Sequence, residues 1–378
     1  LPFILFHAFY FSIKLGKFSG SVLVAVTDTR AVYTKTAFVL SKKQKQLTKY
    51  NYYVVNSCFI FFMKKILFTA LAGFILCSSI LFTGCNGCKE IGPNVILTAP
   101  PSGSGTGITD TTWVLSSAAI AALTTDPHNV LVEEFTGQAC SNCPAAHALL
   151  DGIAATYASG RVNIVSMYFT GGPQTVPPNG FLYDLRDSSA TQISTTIYNS
   201  VSALPSGGVD RLPNAANAGS LLFYSSDWSG ITATQQTVPD SVNLALSSSY
   251  NTTTSLATTT ITVTYTHPVS TKQNISLVVV EDSITDLQEF PDSVHTGYHF
   301  KSVMRGMENL SIPSGDPVLD SIATKATGRV FRRICTYKLR TLTLAIKPAN
   351  CHVVAFVTAN NGADQHVMQS AQSKLIGP

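Results

Sequence analysis

Hydrophobic positions change spacing several times along this chain, and each change marks an element. Val130-Leu131-Val132 opens an apolar β-run that ends in Glu133-Glu134-Phe135. Ala145, Leu149, Leu150, Ile153 and Ala154 then recur at helical spacing with Pro144 in the first turn, so a helix is expected from Pro144 to about Tyr157. Val162 to Tyr168 is a second expected strand. Strand, helix and strand in this order argue for a parallel α/β unit. A Gly/Pro-rich insertion follows at Gly171 to Gly180, then a second helix at about Ser188 to Asn199. A strand or turn is expected at Ala203-Leu204-Pro205, and a third helix near Asp227 to Gln236.

Beyond Val238 the helical spacing disappears. Val242 to Leu246, Thr258 to Tyr265, Ile275 to Val280, Val330 to Tyr337, Leu342 to Ile346 and Val353 to Val357 are short β-runs with polar connections. Their spacing predicts an antiparallel sandwich as a separate domain. In Thr258 to Tyr265 the Ser/Thr-rich alternation leaves one wet face and one dry face.

The front of the chain is different text. No Met occurs before Met63, so residues 1–62 are read as translation upstream of the true start. Lys64-Lys65, the apolar run Ile66 to Phe82, and Thr83-Gly84-Cys85 have the layout of a bacterial secretion signal over 63–84. Phe82-Thr83-Gly84-Cys85 resembles a lipobox, whose cysteine becomes the lipidated N-terminus. Several acyl chains on Cys85 would tether the protein to a membrane without spanning it, because one chain alone anchors only marginally. From Cys85 to residue 128 the chain reads as a lipidated tether, with Pro100-Pro101-Ser102-Gly103-Ser104-Gly105 as its least foldable part.

Charge sharpens this division. The formal net charge of +4 is concentrated at the front: the first 84 residues hold ten Lys or Arg against Asp28 alone, leaving the rest at a net −5. A nucleic-acid partner therefore loses its compositional support. Gly103, Gly105 and Gly107 follow no strand and precede no lysine, so nucleotide binding has no basis either, and no cofactor is expected.

The chemistry concentrates at Cys140-Ser141-Asn142-Cys143, directly after a strand and at the mouth of a helix. This spacing lets both sulfurs meet across one turn, and the helix N-terminus favours a thiolate on an exposed Cys140, with Cys143 placed to resolve a mixed disulfide. Three readings of the pair stand. It is a site of redox exchange, an inert staple of the strand–helix turn, or, with His147 on the same helix face, part of a metal site formed by Cys140, Cys143 and His147. Cys335 and Cys351 lie on or beside β-runs, either bridged or as two buried thiols.

The order of these features resembles a thioredoxin-like site. Glu134 stands six residues before Cys140, the offset at which thioredoxins carry an acid that moves protons to and from the buried cysteine, and Leu204-Pro205 would supply the cis-proline loop. VLVEEFTGQACSNCPAAHALLDGI, followed by ALPSGGVDR and a β-rich C-terminal half, is similar to the 28-kDa outer-membrane-protein family of thioredoxin-like bacterial lipoproteins. The resemblance covers most of 128–378. It implies an α/β thioredoxin-like domain at 129–237 followed by an all-β antiparallel sandwich at 238–378. It points to Glu134, Thr136, Gly137, Cys140, Cys143, Pro144 and Pro205, and supports the late elements Val279-Val280-Glu281-Asp282 and Tyr298-His299. The implied protein is an outer-membrane lipoprotein, lipid-anchored through Cys85 and facing the periplasm or the cell surface. It is a candidate thiol–disulfide oxidoreductase acting on envelope proteins with disulfides. The alternative is a non-enzymatic binding lipoprotein whose CxxC is a structural disulfide.

Overall fold

The computed structural model describes residues 11–18, 21–28, 95–96, 106–342, 344–362 and 364–376. The chain divides into two compact units, Leu1–Cys88 and Lys89–Pro378. In the first, β1 (Phe11–Phe18) and β2 (Ser21–Asp28) form an antiparallel hairpin closed by the pair Phe18↔Ser21. The secretion signal and Cys85 lie outside the described residues. No helix among the described residues is long and apolar enough to cross a membrane.

The second unit is mostly β-sheet with few helices. One five-stranded sheet runs β3 (Val95–Ile96), β4 (Gly107–Val114), β16 (Arg329–Lys338), β10 (Leu256–Tyr265) and β9 (Val242–Asn251). The larger sheet has β18 (Val367–Lys374), β17 (Cys351–Ala359), β11 (Gln273–Glu281), β14 (Val303–Met307), β6 (Val162–Tyr168), β5 (Val130–Thr136), β7 (Ser206–Val209) and β8 (Phe223–Tyr224) in that order, with β15 (Asp316–Pro317) beside β11. β5 pairs in parallel with β6, and β14 joins the other flank of β6 in parallel through Val303↔Ser166. β12 (Ile284–Glu289) and β13 (Val294–Phe300) form a separate hairpin.

Alternation explains how one sheet serves two cores. On β11, Ile275, Leu277 and Val279 pack with Val353, Ala355 and Val357 of β17 against Ile261, Val263 and Tyr265 of β10, which closes the core between the two sheets. Val278 and Val280 of β11, with Val354 and Phe356 of β17, point the other way. They extend a second core made by Leu131, Phe135, Val165 and Met167 and covered by Ala190, Ile193 and Ile197. The latter belong to α3 (Ser188–Gln192) and the π-turn Ile193–Ile197 that continues it. On the opposite face of β5, Val130 and Val132 meet Ala146, Leu150 and Ile153 of α2 (Cys143–Thr156) and Trp228 of α4 (Ser225–Gln235). A short α1 (Ser117–Ala121) sits between β4 and β5.

The expected boundary between 237 and 238 is crossed by the larger sheet, because β14 pairs with β6 and β11, β17 and β18 continue the sheet beyond it. All nine residues of β11 are buried, so both of its faces must be covered, and one of them is covered by the α/β half. The expected tether to residue 128 also ends early. β4 begins at Gly107, and its inward residues are polar: Arg333 donates to both oxygens of Asp110 at 2.7 Å, and Thr112 Oγ1 donates to the carbonyl of Val330. Leu342 to Ile346 forms no strand among its described residues.

Candidate functional site

β5 delivers the chain into the centre of the sheet, and Gly137 lets it turn at once. A Cβ there would collide with the carbonyl of Gln174, so no larger residue fits without moving that loop. Two successive turns follow, with Cys140 N–H donating to Gly137 O and Cys143 N–H to Cys140 O, both at 3.1 Å. Helix α2 starts at Cys143 with Pro144 in its first turn. Cys140 and Cys143 are joined as a disulfide with their Cα atoms 5.4 Å apart.

Cys140 was expected to be exposed; it is 1% exposed, and Cys143 is fully buried. The cover is the β12–β13 hairpin. Gln288 Nε2 donates to the carbonyls of Cys140 at 3.1 Å and Gly137 at 3.3 Å, and Glu289 N–H donates to Gln138 O at 3.0 Å. Asp286, on the same strand, accepts from Gln138 Nε2 at 3.3 Å and from Tyr183 N–H at 2.9 Å. The hairpin, the cysteine loop and the 173–187 connection are thus laced together by buried polar side chains.

Glu134 is completely buried on β5, the strand that leads to the cysteine loop. Ser166 Oγ donates to its Oε2 at 2.9 Å, and its Oε1 faces His147 Nε2 at 3.4 Å. His147 stands one helical turn beyond Cys143. Its Nε2 also lies 2.9 Å from Thr136 Oγ1, and its Nδ1 lies 2.7 Å from the hydroxyl of Tyr298 on β13. Burial pushes the Glu134 carboxyl up to about 8, with Ser166 opposing the shift and the charge of Asp151 adding to it. Burial likewise pulls the His147 imidazole down to about 4. Despite their closeness the two are therefore a neutral acid and a neutral imidazole at neutral pH, not an ion pair.

A cavity of about 40 Å³ opens between Glu134, His147, Asp151, Tyr298 and Lys301. That is room for water, since one molecule needs about 10–15 Å³. Outside it, a groove of about 760 Å³ runs between the first turns of α2 and Phe290, Pro291 and Tyr298 of the hairpin.

Pro205 follows a cis peptide bond and immediately precedes β7, whose Ser206 pairs with Phe135 at the end of β5. The SGGVDR stretch beyond it is structural. A Cβ on Gly207 would strike the backbone of Glu133, and one on Gly208 would strike the Tyr198 hydroxyl. Asp210 Oδ1 accepts from Leu131 N–H at 2.8 Å while Oδ2 lies 2.9 Å from His128 Nε2. Arg211 donates twice to Glu133 at 2.7 Å, and Tyr198 donates to the same carboxylate at 2.6 Å. His128 also meets Asp240 at 3.2 Å. Burial alone would lower the His128 pKa, but the hydrogen bonds from Asp210 and Asp240 reverse this and raise it to about 10.

Of the alternative metal ligands, Cys140 and Cys143 bond each other, and His147 is engaged by Thr136 and Tyr298. No group of three or more His, Cys, Asp or Glu side chains among the described residues is placed to hold a metal ion. Cys335 and Cys351 are free and buried, and burial pushes both thiols up to about 12. Sequence reasoning missed Ser166, Asp286 and Gln288: each is a polar residue at an inward position of a strand, where spacing rules look for an apolar one.

No family model matches the chain, and no curated protein matches it. Among solved structures, HBP35 of Porphyromonas gingivalis superposes with a TM-score of 0.52 at 15% identity, covering 67% of this chain and 77% of that one. A domain of the outer membrane lipoprotein Omp28 from the same organism gives a TM-score of 0.26 at 17% identity, covering 36% of this chain and 89% of that one. The first likeness is one of fold. The second score is too low to carry an argument.

Proposed function

We propose that this chain is a thioredoxin-like, lipid-anchored outer-membrane protein of the Omp28-related group, and that Cys140 and Cys143 exchange thiols and disulfides with envelope proteins. The observation that carries the reading is the disulfide at the mouth of α2 with a fully buried Glu134 on the strand that leads to it. The order β6-β5-β7-β8 supports it, since a parallel pair followed by two antiparallel strands, flanked by α2 and α4, is the arrangement of a thioredoxin-like domain. The Thr83-Gly84-Cys85 motif supports the lipid anchor.

The chemistry balances in either direction. A partner thiolate attacks Cys140 Sγ, the Cys140–Cys143 bond breaks, and Cys143 leaves as a thiolate that takes the proton of Glu134. A second partner thiolate then releases Cys140 and completes a two-electron reduction by external thiols. In reverse, Cys140 attacks a partner disulfide. Cys143, having given its proton to the Glu134 carboxylate, then attacks Cys140 Sγ and frees the partner.

One observation favours a second reading. Both cysteines are buried, as those of a structural staple would be. A redox titration of the folded chain against dithiothreitol separates the two. Reversible exchange, with partners trapped on Cys140 in Cys143→Ser, supports catalysis. Sulfurs that stay unreactive until the protein unfolds sink it. Mass spectrometry of the native protein tests the anchor: a lipidated Cys85 N-terminus is expected, and an abundant peptide spanning Gly84-Cys85 would refute it.

A further inference from the structure

We infer that His147, oriented by Tyr298, relays protons between Glu134 and solvent during exchange at Cys143; the inference rests on the exchange reading. Glu134 has no water-facing surface. Ser166 donates to Oε2, and no hydrogen-bond donor reaches Oε1, which is turned toward His147 Nε2. Each time Glu134 gives its proton to Cys143 it is left a buried carboxylate, a costly state that lasts until a proton returns. The route for that proton is on the same side. Tyr298 lines both the inner cavity of about 40 Å³ and the outer groove of about 760 Å³. At the mouth Lys301 Nζ donates to Asp151 at 2.7 Å, and both side chains are more than half exposed.

Nε2–H of the neutral imidazole passes to the Glu134 carboxylate. The Tyr298 hydroxyl passes its proton to Nδ1 and takes one from cavity water. The cavity water leaves to bulk solvent as hydroxide, carrying away the charge that Glu134 held, and the imidazole is left in its other tautomer. When exchange runs the other way, the reverse transfer first takes the Glu134 proton out to solvent and restores the first tautomer, and the carboxylate then receives the Cys143 proton.

The groups facing this path set its pH response. They are Thr136 and Glu134 from β5, Ser166 and Tyr168 from β6, His147 and Asp151 from α2, Tyr298 and His299 from β13, and Lys301 just beyond. Asp151 and Lys301 offset each other at the mouth. The low imidazole pKa keeps His147 neutral, which a tautomeric relay requires.

The test uses the full chain. Reduction by dithiothreitol, in which Cys143 leaves the internal disulfide, and resolution of a mixed disulfide on Cys140 by Cys143 are followed from pH 5 to 9 in wild type, Tyr298→Phe, His147→Gln and His147→Ala, in H₂O and D₂O. Tyr298→Phe and His147→Gln are expected to slow Cys143 release about tenfold at pH 7 and to lose the wild-type solvent isotope effect. Free imidazole is expected to restore part of the rate in His147→Ala. Folded variants that keep the wild-type rate, pH profile and isotope effect overturn the relay while leaving exchange standing. A folded wild type that does not exchange overturns both. Should His147 variants fail to fold, Tyr298→Phe, which loses only a half-buried hydroxyl, decides alone.

Discussion

Gln288 donates through Nε2 to the carbonyl of Cys140 at 3.1 Å, so a side chain from the C-terminal half closes the loop that carries the first cysteine. With its second bond to Gly137 O, this makes access to the disulfide a question of hairpin opening. Each such bond contributes about 1 kcal/mol. Gln288→Ala is therefore expected to raise the open population, and with it the rate of reduction by a small thiol, about tenfold. Stopped alkylation with mass detection measures this, and an unchanged rate would show that thiols reach Cys140 by another way.

Glu134 gives the fold a pH signature. The folded state holds its proton up to about pH 8, whereas an unfolded glutamate releases it near about 4.3. A raised folded pKa stabilises fully below the unfolded value, and the contribution is lost as pH rises through the folded value. Stability of the oxidised protein is expected to fall by a few kcal/mol between about pH 5 and 9 on this account. Glu134→Gln should remove that slope in denaturant titrations at several pH values, and equal slopes in the two proteins would contradict a buried neutral Glu134.

His128 supplies a second window. Its pKa, raised to about 10 by Asp210 and Asp240, makes its contribution complete below about 6.5 and progressively lost as pH rises to about 10. His128→Gln leaves two buried carboxylates without their cation and is expected to cost about 3–5 kcal/mol at pH 7. Thermal melts from pH 6 to 10 check both size and slope.

Gly208→Ala is expected to destabilise by about 2–3 kcal/mol through overpacking, because the new Cβ would displace the Tyr198 hydroxyl from Glu133. Adding Tyr198→Phe removes the nearest of the obstructing atoms, two ring carbons remaining at 2.8 Å, and should recover part of the loss, a coupling read from the double-mutant cycle. Additive effects would mean the two positions do not meet.

Apolar spacing carried the α/β half of the fold well. The run at Val130, the helical spacing through Ile153 and the Val162 run became β5, α2 and β6 within a residue or so at each end. The placement of Cys140, Cys143 and Glu134 on those elements followed from them. Polar inward positions were what hid the rest. Asp110 and Thr112 disguised β4 as tether, and Asp286 and Gln288 broke the apolar alternation of β12, so the cover over the disulfide was not visible. The Ile275 to Val280 run was legible as a strand, but its apolar residues could not name the partners that cover its two faces. That is why the half-way boundary near Val238 looked real.

Ser166 sits where the halves meet: its side chain serves Glu134, while its backbone N–H donates to Ser302 O at 2.8 Å beside β14. β6 consequently has no free flank. A fragment ending before Val242 would open that flank as an unpaired strand edge and strip Val278, Val280, Val354 and Phe356 from the apolar face beside it, the two features that invite aggregation. The C-terminal half is thus the solubilising partner of the cysteine site, and the two must be inherited, expressed and engineered as one piece.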